Sequence, residues 1–279
     1  MKIFQYDTID STNNEAKRLI QQGEKPSFAV YAHQQTEGRG RLGRPWETPA
    51  GNVALTMTVL LPEELSTQST IAPLTALAIY DVLKPLIRAE DQLAIKWPND
   101  ILINEAKVSG TLIEADRTAI YIGVGINVKT RPEHVPYKTI CLSELTEVKA
   151  DQLVKELAAA FEKYHTRWKN EGFEALTSLY NKRLYRLHKP LRISLDREKQ
   201  TWEEGICCGV NRYGHLQLKD EKGQIKAHSA GDIDAPLQRV DKPSHSLSGL
   251  CSSAHECHIR SAPVRAAKVF YHAEKKTKG

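Results

Sequence analysis

No run of about 18 or more apolar residues occurs anywhere in the 279-residue chain, so no segment reads as a membrane span. The first residues, MKIFQYDTIDSTNNEAK, carry acids early and have no apolar stretch of the kind a secretory leader needs, so a cytoplasmic location is expected. Cysteine is sparse: Cys141, Cys207, Cys208, Cys251 and Cys257 form an odd set without a C-x-x-C pair. That pattern excludes a disulfide framework and reads as free thiols. Internal repeats are absent. A surplus of one charge sign is also missing from most of the chain. The net charge is +5, but residues 242–279 hold seven Lys/Arg and two acids, which leaves 32 of each in 1–241. The neutral body gives no footing for a basic nucleic-acid surface. What remains, 41% apolar and 26% charged residues, is the composition of an ordinary globular protein, long enough for one large domain plus a small one or for two medium ones.

Periodicity sketches the elements. Lys2–Tyr6 alternates like a strand, and Asp10-Ser11-Thr12 offers N-cap oxygens to a helix through Glu15, Leu19 and Ile20 that stops at Gly23. Phe28–Ala32 reads as a strand and Asn52–Leu61 as another, with a long aperiodic loop, Gln34–Gly51, between them. Thr70–Ile87 reads as a buried helix that Pro85 bends or ends. Strands are expected at Leu93–Trp97, Ile101–Ile103, Lys107–Glu114 and Ala119–Val128. Helices are expected over Asp151–Asn170, with apolar residues at three- and four-residue steps, and about Phe173–Leu184. After Pro190 short alternating runs separated by glycine and charged turns suggest a small all-β barrel. Beyond about Pro236 the pattern dissolves, and a poorly ordered tail is expected.

Four segments stand out chemically. Gly38-Arg39-Gly40-Arg41-Leu42-Gly43 matches G-x-G-x-x-G in form, but a dinucleotide site needs a helix to start there. Two prolines and a glycine in the following eight residues argue against one. A glycine-rich loop with arginines at near-alternate positions suits phosphate or carboxylate instead, although the bare motif alone reads more readily as a solvated basic turn. Lys96-Trp97-Pro98-Asn99-Asp100 ends a strand with oxygen-bearing side chains, either a magnesium-phosphate site or a tight turn. Lys107 opens the strand Lys107–Glu114; a lone lysine there is usually an edge residue. Gly123 and Gly125 in an apolar strand permit close approach of a flat ligand, or mark a bulge.

Taken in order, Asp10-Ser11-Thr12-Asn13, Gln35-Thr36-Glu37-Gly38-Arg39-Gly40-Arg41-Leu42-Gly43-Arg44-Pro45-Trp46, Lys96-Trp97-Pro98-Asn99-Asp100, Lys107-Val108-Ser109-Gly110 and Gly123-Val124-Gly125-Ile126-Asn127 resemble the biotin–protein ligases, over roughly residues 3–234. The resemblance implies an α+β fold: a mixed-sheet catalytic domain with the class II synthetase-like biotin/lipoate ligase core at 1–187, an SH3-like β-barrel at 188–236, and a basic tail at 237–279. It implies a form without the N-terminal DNA-binding domain and therefore no operator binding. It implies ATP-dependent activation of biotin to biotinyl-5'-AMP, assisted by Mg²⁺, and transfer to a lysine of a biotin carboxyl carrier protein, with a homodimer left open. By position it assigns biotin to Ser11, Thr12, Asn13, Gln35, Gly38, Arg39, Gly40, Arg41, Trp46, Lys107 and Gly110, with Ser11, Thr12 and Gln35 on the ureido ring. ATP falls to Arg41, Arg44, Trp46, Lys96, Asn99, Lys107 and Asn127. Arg41, Lys107 and Asp100 are the expected catalytic residues, with Asp100 a general base or a magnesium ligand. Glu37 and Pro45 depart from the family pattern, the first adding a negative charge beside the arginines and the second stiffening the loop.

Three rival readings compete. A lipoate- or octanoate-handling enzyme would share the core fold. A nucleic-acid-binding module would use the arginine loop and the tail. A metal site could draw on Cys251, His255, Cys257 and His258, but their spacing matches no standard zinc pattern.

Overall fold

The computed structural model describes residues 1–62, 65–196 and 200–235, all inside one compact unit, Met1–Leu237. The expected tail at 237–279, with its Cys and His residues, lies outside the described residues. In chain order the elements are β1 (Lys2–Ile9), α1 (Thr12–Gln21), β2 (Phe28–Gln35), β3 (Val53–Leu60), α2 (Ile71–Leu83), β4 (Leu93–Lys96), β5 (Asp100–Ile103), β6 (Ala106–Ala115), β7 (Ala119–Ile126), α3 (Ala150–Glu171), α4 (Glu174–Lys182), β8 (Pro190–Ser194), β9 (Trp202–Val210), β10 (Leu216–Lys219), β11 (Ile225–His228) and β12 (Ile233–Asp234). The first seven strands form a mixed sheet of order β1-β2-β3-β7-β6-β5-β4, in which β1–β2 is parallel and the remaining pairs are antiparallel. The last five form an antiparallel sheet, β11-β10-β9-β8-β12, consistent with an SH3-like domain.

Side-chain alternation gives the large sheet two unlike faces. Val53, Leu55, Met57 and Val59 of β3, with Ile120, Ile122, Val124 and Ile126 of β7, join α2 and α3 in the main apolar core. The opposite face of the same strands carries Ala54, Thr56 and Thr58, paired in register with Gly125, Gly123 and Tyr121. On β6, Gly110, Leu112 and Glu114 pair with Gly125, Gly123 and Tyr121 in turn, so they share that face. α1 covers one end of it over Phe28, Val30 and Tyr121, and the rest is left as a floor of small residues.

α2 is buried over most of its circumference, from Ile71 to Leu83, and gives way to a short 3-10 turn, Lys84–Leu86, at Pro85. α3 buries Leu153, Leu157, Phe161 and Tyr164 along one stripe and ends at Gly172, whose φ of 74° a β-carbon would strain. Among the described residues no helix is long and apolar enough to cross a membrane, and Cys141, Cys207 and Cys208 are free thiols. The small sheet does not keep a core of its own. Leu191, Ile193, Cys207, Val210, Leu216, Leu218 and Ile233 belong to the same apolar cluster as the large sheet.

One local expectation is corrected. Ser11 stands at the N-cap of α1 with extended backbone, yet its side chain makes no capping bond. Its hydroxyl instead accepts from Arg39 at 3.4 Å. The neighbouring Asp10 carboxylate is taken up by Arg18 and Asn14.

Candidate active site

The expected long loop is there, and it folds back on itself as a hairpin. Gln35 bridges Thr48, Arg39 bridges Pro45, Trp46 N–H donates to Gly38 O at 2.9 Å, and Gly40 N–H donates to Arg44 O at 2.7 Å. Its tip is a 3-10 turn, Arg41–Gly43, with Leu42 at φ 59° and 54% exposed. A glycine is required at 38 because a β-carbon there would overlap the Trp46 carbonyl.

The hairpin arches over the small-residue floor, and between them lies a cavity of about 660 Å³. Arg41, Lys96 and Lys107, far apart in sequence, all line it. Arg41 donates to Asn99 Oδ1 at 3.0 Å, and Asn99 is braced by its own donation to Thr111 O at 2.7 Å. Lys107 Nζ sits 2.7 Å from Asp100 Oδ1. The same ammonium lies 5.6 Å from the ring centres of both Trp46 and Tyr137, within cation–π range. Asp100 Oδ1 is buried and accepts no well-formed hydrogen bond among the described residues, which leaves the Lys107 ion pair as its compensation.

Another part of the cavity lining is a row of uncharged hydrogen-bonding groups, with the Arg39–Glu114 ion pair beside it. Gln35 Oε1 accepts from the Thr12 N–H at 2.8 Å and its hydroxyl at 3.1 Å. The Thr56 hydroxyl donates to Asn13 Oδ1 and lies 2.8 Å from Thr12 Oγ1. One cavity therefore combines an uncharged hydrogen-bonding row with a group of cations.

The biotin/lipoate A/B protein ligase family model matches residues 5–127. A biotin--[acetyl-CoA-carboxylase] ligase of Paracoccus denitrificans is 33% identical over 227 residues, which span 77% of this chain and 93% of that protein. The chain belongs to the biotin protein ligase family. This ligase is also 32% identical over 244 residues to the bifunctional ligase/repressor BirA of Bacillus subtilis, covering 83% of the chain and 73% of that protein. Among solved structures, a biotin protein ligase from Leishmania major in complex with biotinyl-5-AMP aligns with a TM-score of 0.59 at 27% identity, covering 82% and 99% of the two chains. The biotin protein ligase from Aquifex aeolicus in complex with biotin and ATP has the same fold, with a TM-score of 0.72, 24% identity, and 84% and 97% coverage.

Within this ligase the structure gathers most of the expected residues, with instructive exceptions. Ser11, Thr12, Asn13, Gln35, Arg39, Gly40, Arg41, Arg44, Trp46, Lys96, Asn99, Asp100, Lys107 and Gly110 all line the cavity. Asn127 does not: its amide reaches the Lys107 and Ile140 carbonyls and pins the 139–142 segment beside β6. Gly38 lies behind the hairpin, on a separate hollow under Trp46. The three loop arginines also diverge. Arg39 turns inward to Glu114 at 3.0 Å, whereas Arg41 and Arg44 reach Asp232 of the small domain at 3.5 and 3.0 Å. At Gly125 the flat group that comes close is the chain's own: a β-carbon would run into the Trp46 indole.

Sequence reasoning passed over Thr56, Glu114, Tyr137 and Asp232. Thr56 had a signal, since Ala54, Thr56 and Thr58 alternate with large apolar residues. Burial pushes the Glu114 carboxyl up, but hydrogen bonds from Arg39, Lys17 and Asn13 outweigh it and hold its pKa at about 2. No local pattern around residue 114 announces those partners.

Proposed function

We infer that this ligase activates biotin with ATP to biotinyl-5'-AMP and transfers the biotinyl group to a lysine of a biotin carboxyl carrier domain. The supporting observation is the cavity lining, which combines an uncharged hydrogen-bonding row at Thr12 and Gln35 with Arg41, Lys96 and Lys107 converging on the same space. Biotin has that polarity, with a ureido ring at one end and a carboxylate at the other. The buried ureido group requires matched donors and acceptors. Lipoate has no such head, so the row favours biotin over the nearest rival. ATP as co-substrate agrees with a cytoplasmic setting.

In the first half-reaction a biotin carboxylate oxygen attacks the α-phosphorus of ATP. A P–O bond forms, the bond to the β-phosphate bridging oxygen breaks, and pyrophosphate leaves. Two anions must meet, and at about 4 Å with an effective dielectric near 20 their repulsion is on the order of 4 kcal/mol. Arg41, Arg44, Lys96 and Lys107 offset that repulsion and stabilise the charge that grows at phosphorus. Asn99 holds Arg41 toward the reacting centre. Among the described residues no cluster of three His, Cys, Asp or Glu could hold a metal, so a magnesium cage built from protein alone is absent there. Magnesium usually sits on one or two carboxylates plus substrate phosphates, and the under-satisfied Asp100 Oδ1 fits that role, with Asn99 beside it. Magnesium held there would supply positive charge that offsets the phosphates.

In the second half-reaction the carrier lysine, as a neutral amine, attacks the acyl carbon and AMP departs. We assign Asp100, as the alternative to holding magnesium, the acceptance of the amine proton. Trp46 and the hairpin shield the adenylate from water in the interval.

The test is isotope exchange between ATP and pyrophosphate. Exchange that depends on biotin and not on lipoate, followed by labelling of a carrier domain, is expected. Exchange driven by lipoate would overturn the reading, as would none with biotin.

A further inference from the structure

The polar row in the cavity lining does not stop at the residues that would face biotin. Gln35 Oε1 accepts from Thr12, Thr12 Oγ1 meets the Thr56 hydroxyl at 2.8 Å, Thr56 meets Asn13 Oδ1, and Asn13 Nδ2 donates to Glu114 Oε2 at 3.1 Å. A row of hydroxyls and amides has no inherent direction. Hydroxyls rotate and amides turn over, so its protons can run either way unless something at an end dictates the sense.

An ionised carboxylate is such a terminus, because it accepts and never donates. Glu114 stays ionised down to strongly acidic pH, its burial outweighed by hydrogen bonds from Arg39, Lys17 and Asn13. Asn13 must therefore turn its NH₂ to Glu114 and its carbonyl to Thr56. Thr56 spends its single proton on Asn13, which leaves its oxygen able to accept the Thr12 hydroxyl proton, turned from Gln35 Oε1, which keeps the Thr12 N–H. At the far end the Thr12 main-chain N–H, which cannot reverse, holds Gln35 Oε1 toward it, while Gln35 Nε2 donates to Thr48 Oγ1 at 3.0 Å. The carboxylate that orients the row also grips Arg39 at the root of the hairpin.

We propose that Glu114 is a positioning residue that fixes the donor–acceptor sense of the Asn13–Thr56–Thr12 row, and so selects a ureido head over heads of the same shape with the opposite hydrogen-bonding sense. The proposal rests on seating the ureido ring at Thr12 and Gln35. Glu114 touches no substrate. It acts 101 residues away in sequence through Asn13.

The decisive ligand pair is biotin and 2-iminobiotin, a guanidinium at neutral pH in which N–H donors replace the ureido carbonyl oxygen with almost no change of shape; because Glu114→Gln also removes a charge that attracts this cation, Thr56→Val, which leaves every ion pair intact, is measured beside it. Calorimetry gives both dissociation constants, and ATP–pyrophosphate exchange separates KM from kcat. Glu114→Gln makes the terminus able to donate and frees Asn13 to turn. Its preference for biotin over 2-iminobiotin is expected to fall about tenfold, the scale of one hydrogen bond, with a matching rise in KM for biotin and kcat within about threefold. Glu114→Asp keeps an acceptor-only terminus and should keep the preference. Lys17→Met removes another partner of Glu114 without touching the row, and should also keep it. An unchanged preference in Glu114→Gln overturns the proposal, and so does an equal fall in Lys17→Met, which would make the cluster a structural brace. If Glu114→Gln does not fold, Thr56→Val interrupts the row and leaves every ion pair intact; full preference in that variant overturns the proposal equally. A Thr12→Val chain that binds biotin like the wild type overturns the ureido seat itself, and this inference with it.

Discussion

Lys107 shows how much one side chain carries here. It opens β6, pairs with Asp100 at 2.7 Å, and lies within reach of the Trp46 and Tyr137 rings. Its ammonium is the cation nearest to the carboxylate that would accept the amine proton or hold magnesium. Lys107→Ala is expected to slow adenylate formation by about 10²–10³, the usual cost of removing one preorganised charge donor, with the fold retained. Single-turnover pyrophosphate release measures the rate and a thermal melt the fold; near-normal release would remove Lys107 from the chemistry. At this scale the sequence was legible where residue type and motif coincide, as at Arg41, Lys96 and Lys107. It was opaque at Glu114. Glu114 acquires its meaning from Arg39, 75 positions away, and from Asn13, 101 away. Pairing of that range is set by strand register, which no local pattern reports.

Among the elements, the arginine hairpin and the β6–β7 pair must be considered together. Strand and helix positions follow from alternation and apolar stripes, and Pro85 and Gly172 mark helix ends as their chemistry requires. The hairpin was not legible. Its bonds join Gly38 to Trp46 and Gly40 to Arg44 through main-chain atoms, to which side-chain periodicity is blind. Gly125 ties hairpin to sheet, since the Trp46 indole lies against it. In Gly125→Ala the strand backbone is held by β3 and β6 on both sides, so the indole has to move. Acrylamide quenching of tryptophan emission should increase, and biotin affinity should fall by roughly 10- to 200-fold, the range for one methyl-sized change in a fitted pocket. Unchanged quenching and affinity would show that the indole does not depend on that glycine.

For the whole molecule, the small sheet supplies both counter-charge and core. Asp232 receives Arg41 and Arg44 across the gap between the barrel and the hairpin. These pairs are partly exposed, so Asp232→Asn should change global stability by about 1 kcal/mol or less. The hairpin should nevertheless loosen, and trypsin should cut after Arg41 several times faster in the variant, by about the factor that 1 kcal/mol allows. Equal cleavage rates would mean that the barrel does not restrain the loop.

The shared interior carries a further consequence. Leu191, Ile193 and Cys207 of the barrel pack into the same cluster as Tyr180 and Leu184 of the larger part. A barrel built into its neighbour in this way is no interchangeable cassette. Cutting it away would open the shared interior around Tyr180 and Leu184 to water, so the two pieces are expected to melt in a single transition.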